Sequence, residues 1–265
     1  MAKAEKKKDG IWDTLKTIFW ALVIAGLFRT ILFQPFSIPS GSMKPELLVG
    51  DYLFVSKFAY GYSRYSLPFE PDLFEGRIWS DLPERGDVVV FKHPRHDACS
   101  RGPLERIGGF FLSLAGVVQA NLGDCRDYIK RVVGLPGDTL EMHDKLLMVN
   151  GERLDEPWAI HIDRNRDAVH PGMRWQGNHL IAGRPIDGYA PSRDTWGPIV
   201  VPPERFFVLG DNRDNSEDSR YWGWVDRDRI RGRPWFVYYS WDRQAARVKG
   251  WLAGIRWDRI GRSVR

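Results

Sequence analysis

Cysteine is nearly absent: Cys99 and Cys125 are the only two in 265 residues. Two thiols cannot make a multi-bridge scaffold or a four-cysteine zinc site, which excludes both classes. Histidine is sparse as well, and His93, His96, His143, His161, His170 and His179 are scattered along the chain. No broad positive charge exists either. The net charge is +5, yet residues 243–265 carry Arg243, Arg247, Lys249, Arg256, Arg259, Arg262 and Arg265 against Asp258, a balance of +6. The other 242 residues therefore sum to −1, which argues against a nucleic-acid binder. Long uninterrupted apolar runs are missing too. The uncharged stretch Thr17–Phe28 has 12 residues, and as a helix it covers roughly 18 Å of a hydrocarbon core about 30 Å thick.

What remains is a globular composition, with 43% hydrophobic and 28% charged residues, enough for one sizeable domain or two small ones. Twelve tryptophans favour membrane interfaces and binding surfaces. Thr17–Phe28 becomes a membrane anchor once its flanks are counted. Ile31, Leu32 and Phe33 extend the run, while Lys16 and Arg29 can reach opposite interfaces. Trp12 and Trp20 are candidate aromatic anchors. A soluble core helix is the alternative. A cleaved signal needs a small-x-small site just after the core, and residues 29–36 offer none. The cluster Lys3, Lys6, Lys7 and Lys8 predicts a cytoplasmic N-terminus, with everything after Phe33 on the other side.

Beyond the anchor the pattern predicts a mainly β fold without internal repeats. A proline-punctuated turn region, QPFSIPSGSMKPELLVGD, leads to a strand at Tyr52–Lys57. Residues 60–86, rich in Tyr, Pro and Gly, read as a long surface loop. Further strands are expected at Asp87–Lys92, 128–133, Phe206–Leu209 and Trp235–Ser240. Residues 146–154 carry a hairpin signal, with Asn150-Gly151 suited to a type I′ turn.

Four blocks carry the chemistry: IPSGSMKPELLVGD (38–51), RGDVVVFK (85–92), YIKRVVGLPGD (128–138) and GDNRDNSEDSRYWG (210–223). Pro39, Gly41 and Pro45 place Ser40 and Ser42 on a constrained turn. A serine hydroxyl is a poor nucleophile until a base takes its proton, and no histidine lies in these blocks. Lysine serves if burial lowers its pKa from about 10.4 towards 7 or 8, at a cost of about 4 kcal/mol that desolvation can supply. Lys130 is the candidate, because strand alternation sets it on one face with Tyr128 and Val132. The acidic spacing of 210–218 hints at a calcium loop, but Arg213 occupies a ligand position. No metal site is expected.

In order, spacing and membrane context the four blocks resemble bacterial signal peptidase I, over most of the chain. The resemblance implies a Ser–Lys serine endopeptidase that needs no cofactor, with Ser42 as nucleophile and Lys130 as general base. It implies an oxyanion hole from the Ser42 N–H and the Ser40 hydroxyl, and Ser216 as the residue orienting the amine. By the same carry-over Asp218 and Arg220 support the dyad, and Met43 lines the apolar substrate cleft. The implied partners are the signal peptides of secreted preproteins, cut after small-x-small sites, and the phospholipid bilayer, with no nucleic acid. The implied place is the bacterial inner membrane: a single-pass protein with its catalytic domain on the periplasmic face.

The expected organisation is a cytoplasmic tail (1–10), an anchor (11–33), a single β-rich peptidase domain (34–242) and a basic amphipathic tail (243–265) suited to anionic lipid or to solvent. Within the domain, about 140–205 forms a smaller β insertion. Residues 101–123 form an apolar one, its uncharged core Ile107–Ala120 packed on the domain or dipping into the outer leaflet. A second crossing there is excluded, since it would put Lys130 across the bilayer from Ser42. In an oxidising compartment Cys99 and Cys125 are expected to pair across its base. A non-catalytic envelope binding module on the same fold is the alternative function, and a cytosolic self-cleaving regulator lacks room for its DNA-binding domain.

Overall fold

A computed structural model describes residues 10–67, 75–79, 81–94, 127–164, 168–181 and 187–265. Both cysteines, and with them the expected bridge and the apolar insertion at 101–123, lie outside the described residues. The first element is α1, Ile11–Ile31. Its Leu, Ile, Phe and Ala side chains face outward all round rather than into the domain. Among the described residues it alone is long and apolar enough to cross a membrane. Pro35 has no N–H to continue the helix and disfavours helical geometry at Gln34, so the chain turns at Leu32 straight into β1, Phe33–Ser37. The expected anchor therefore ends two residues early. The strand replaces part of the expected turn region, because an edge strand tolerates a proline.

β2 (Asp51–Ser56) pairs with β1, and the short strands β3 (Tyr62–Ser63) and β4 (Arg77–Ile78) pair with each other. Next come β5 (Val88–Lys92), β6 (Asp127–Gly134), β7 (Thr139–His143), β8 (Leu146–Val149) and β9 (Glu152–Arg153). The last strands are β10 (Trp196–Val200), β11 (Arg205–Leu209), β12 (Val225–Asp226) and β13 (Ile230–Ser240). A seven-stranded antiparallel sheet runs β1-β2-β13-β5-β6-β11-β12, and a smaller sheet runs β10-β7-β8-β9. Asn150 and Gly151 link β8 to β9 with both φ values left-handed, 55° and 84°, as a type I′ turn requires.

Both faces of the large sheet are covered. Val88 and Val90 of β5 enter a core with Phe36, Met43, Leu47, Leu53 and Ile129. Val89 and Phe91 enter another with Val132, Phe206, Val208 and Trp222. A strand buried on two sides reads as a continuous apolar run, which is why VVVF lacks alternation.

Two expectations need correction. Residues 60–86 are not simply a surface loop: Tyr60, Ser63, Tyr65 and Ser66 are buried. Arg77 fastens the segment by donating to the carbonyls of Tyr60 (3.1 Å), Gly61 (2.8 Å), Arg227 (3.0 Å) and Ile230. The tail, likewise, is α-helical only over Arg243–Lys249, where Gly250 at φ 96° stops it, and goes on in short 3-10 turns at Trp251–Gly254 and Trp257–Arg259. Two of its arginines then return to the domain. Asp51, fully buried, receives Arg259 through both carboxylate oxygens (Nε 3.0 Å, Nη2 2.6 Å), with Arg256 at 3.5 Å and Ser240 Oγ at 2.6 Å. Val264 enters the same core as Met43 and Leu47. Removing one partner of a buried ion pair strands the other charge, so Arg259→Ala is expected to cost about 3 kcal/mol. Denaturant unfolding of the detergent-solubilised chain measures it, with Arg247→Ala as a surface control that changes little.

Candidate active site

Residues 38–50 leave β1 and return to β2 as a loop closed at its neck by Ile38 N–H to Asp51 O (2.8 Å) and Gly50 N–H to Ile38 O (3.0 Å). Met43 and Leu47 point into the core and anchor the loop from below, while Leu47 N–H donates to Met43 O (2.8 Å). This corrects the expected place of Met43. It has no exposed surface, so it fixes the turn from the core instead of lining an open cleft. Ser42 sits above it. Its carbonyl accepts from Asn212 N–H at 3.0 Å, and the Gly41 carbonyl accepts from Asn212 Nδ2 at 3.4 Å. Among the described residues the Ser42 N–H donates to no carbonyl, which leaves it for an incoming ligand.

Lys130 lies on β6, opposite Val89 of β5 in the register. Its side chain is 3% exposed, with Nζ 2.8 Å from Ser42 Oγ and 3.1 Å from the Ile129 carbonyl. Tyr128, on the same strand face, has its ring 5.8 Å from the amine. Burial pushes the amine down from its usual range to about 8, against the opposing pull of Asp218, Asp211 and Glu217. That value leaves an appreciable neutral fraction near pH 7 to 8, as a general base needs.

The segment 210–220 supplies the walls. Asp218 and Arg220, both fully buried, form a two-pronged pair (Nε to Oδ1 2.8 Å, Nη2 to Oδ2 2.8 Å), and Asp218 also accepts from Gly210 N–H at 3.1 Å. Burial pushes the Asp218 carboxyl up, but Arg220 and the backbone donor outweigh it and hold it below the usual carboxylate range. Arg131, next to Lys130 but on the opposite strand face, grips Asp211 through two 2.7 Å bonds. Arg213 is paired with Glu156. Arg131 thus ties strand β6 to the 210–220 segment, and Arg213 ties that segment to Glu156 beyond β9.

Ser42 and Lys130 therefore meet directly, with Asp218 and Arg220 paired in the wall behind them. Ser40 Oγ lies 3.4 Å from Ser42 Oγ at the exposed rim. Ser216 is beside Ser42, with its buried hydroxyl turned towards Asp218, whose carboxyl it helps to hold down; it makes no close hydrogen bond, and the expected bond to Lys130 is not formed. His161 meets Asp214 at 3.7 Å, and none of the described histidines hydrogen-bonds Ser42. Sequence reasoning missed Asp211, Asn212 and Gly210, although all three sit in a block it singled out. Nothing in the string GDN tells which of its residues touches the turn at 42. A Cβ at Gly210 would overlap Ser216 Oγ and lie 2.6 Å from the Ser42 carbonyl oxygen. Gly210→Ala must therefore push the serine turn away. A displacement of this kind is expected to lower kcat roughly 100-fold, checked by steady-state peptide cleavage, with circular dichroism showing a retained fold.

A family model described as "Signal peptidase, peptidase S26" matches residues 11–240. A signal peptidase I of Rickettsia canadensis is 32% identical, covering 94% of this chain and 92% of the relative. That of Rickettsia akari is 31% identical over 99% and 98%, and that of Buchnera aphidicola 29% over 98% and 86%. A solved signal peptidase I from Enterococcus faecalis is a looser match at 25% identity, 58% of this chain, 97% of its own and a TM-score of 0.32. Match and relatives run through the anchor, the serine turn, the lysine strand and the 210–220 segment, so the chain belongs to the signal peptidase I family of serine endopeptidases.

Proposed function

We propose that this protein removes the N-terminal signal peptides of secreted preproteins by a Ser42–Lys130 mechanism, cutting after small-x-small sites. The observation that carries it is the 2.8 Å approach of a buried amine to Ser42 Oγ. In the active form the Lys130 amine is neutral, and the Ser42 O–H donates to its lone pair. Oγ attacks the scissile carbonyl as the proton passes to Nζ. The oxyanion is received by the Ser42 N–H and, from the rim, the Ser40 hydroxyl. Collapse expels the new amine terminus, which takes the proton from the Lys130 ammonium. A water then gives its proton to Nζ and attacks the ester, and Ser42 Oγ leaves as it takes that proton back, restoring the neutral amine. Ser216, whose hydroxyl lies beside Ser42 and Asp218, is suited to steady the amine through this cycle. Asp218 and Arg220, neutralising each other, hold the wall without adding net charge.

The enzyme resides in the bacterial inner membrane, with α1 as its anchor. The lysine-rich end stays in the cytoplasm and the β domain works on the periplasmic face, where a preprotein tethered in the same bilayer arrives at high effective concentration.

Ser42→Ala and Lys130→Ala are each expected to abolish preprotein cleavage, read by gel shift of the substrate. Near-normal turnover by either variant defeats the mechanism. Lys130→Met is expected to be inactive yet more stable at pH 7 by about 2 kcal/mol, since it removes a buried amine; chemical denaturation measures it. Because the base acts only when neutral, kcat/KM should rise with pH through about 8 and fall about tenfold per unit well below it, read from a pH–rate profile.

A further inference from the structure

The helix Ser219–Trp222, which carries Arg220, is a single turn, and a helix that short is not stable on its own. Its carbonyls need partners from outside, and that of Arg220 has two. Trp175 Nε1 and Gln176 Nε2 each donate to it at 3.0 Å. Both donors come from the 3-10 segment Pro171–His179, which packs against β10 of the small sheet. The guanidinium is held as well, since it donates to the Arg213 carbonyl at 2.7 Å and the Arg193 carbonyl at 3.4 Å, besides its pairing with Asp218.

Gln176 has no exposed surface. A buried amide costs free energy unless its oxygen and nitrogen are both bonded, and here both are. Tyr189 Oη donates to Gln176 Oε1 at 2.8 Å and itself accepts from the Gly197 N–H of β10 at 2.9 Å. Every proton in this chain points the same way, from the small sheet to Arg220, so each bond strengthens the next.

We propose that Gln176, set by Tyr189, is a positioning residue for the dyad: it holds Arg220 against Asp218 and so keeps the charge beside Lys130 balanced. Gln176 bonds Arg220 and Tyr189, and it acts on the reacting atoms through Arg220. The charged groups around the amine are Asp211, Glu217, Asp218 and Arg220 from the 210–220 segment, with Arg131 of its own strand bound to Asp211. β5 sets Val89 opposite Lys130, and the serine turn brings the Ser40 and Ser42 hydroxyls, with Lys44 exposed. Asp218 pulls hardest towards the ammonium, and Arg220 opposes it. An Arg220 that drifts from Asp218 therefore leaves the amine protonated to higher pH. The proposal rests on the Ser42–Lys130 reading and adds to it the part of the fold that keeps the base neutral.

The test records kcat/KM against pH on a preprotein, using the full chain in detergent as wild type, Gln176→Met and Tyr189→Phe. Methionine fills the volume of glutamine but can neither donate to Arg220 nor accept well from Tyr189. Its acid limb should move up by about half a pH unit, a loss of about threefold well below the limb, while the high-pH plateau is retained. Tyr189→Phe leaves both donors to Arg220 in place and should move the limb the same way by less. It decides the matter if circular dichroism shows that Gln176→Met does not fold. A role in stability alone would lower the melting temperature and leave the limb where it is. An unmoved limb, whatever happens to the plateau, overturns the proposal and leaves the peptidase reading standing. A wild-type profile with no acid limb, or full activity in Lys130→Ala, brings down the Ser–Lys reading and the proposal with it.

Discussion

The structure turns on one contact, a lysine amine kept dry against a serine hydroxyl. Water would return the amine to its ordinary range above 10, where it holds its proton and cannot accept another. Everything around Lys130 serves its dryness. β5 covers it from one side, the serine turn from another, and the segment beginning at Gly210 closes the remainder. The acidic group that pulls hardest on the amine, Asp218, would by itself favour the ammonium. Its charge is absorbed by Arg220, so the wall stays polar enough to be specific and close to neutral overall.

Holding such a contact requires stiffness on both sides, and the two sides come from distant parts of the chain. The serine turn rests on a core that includes Met43 and Leu47, and its backbone carbonyls are taken by Asn212. The lysine strand is fastened to the same segment through Arg131 and Asp211. One polar run therefore touches both reacting groups, which explains why it is dense in short side chains that bond locally.

Much of this was legible in the sequence because local rules decide it. Asn150-Gly151 makes its turn, VVVF makes a strand buried on both faces, and the alternation around Lys130 puts it beside Tyr128. The four motif blocks converge as their order suggests. What stayed hidden depends on partners far away in the chain. Pro35 argued for a turn, yet it lies in an edge strand paired with Phe54. Residues 60–86 looked like loop because nothing local reveals that Arg77 will hold them to β13. The basic tail looked like a lipid-facing helix because the buried Asp51 that claims two of its arginines lies some two hundred residues earlier. Gly210 gave no signal, since its value is the absence of an atom in a crowded place.

The docking of the last residues onto the first loop carries a consequence for how the enzyme is born. Arg259 reaches Asp51 and the Glu46 carbonyl, the Arg265 N–H donates to the Glu46 carboxylate, and Arg131 donates to the Arg265 carbonyl. Ser42 is therefore synthesised early, and the loop that carries it is secured late. Until residues 256–265 are made, the loop that carries Ser42 lacks the contacts that brace Glu46 and Asp51. The brace of the serine turn thus waits on residues made some two hundred positions after it.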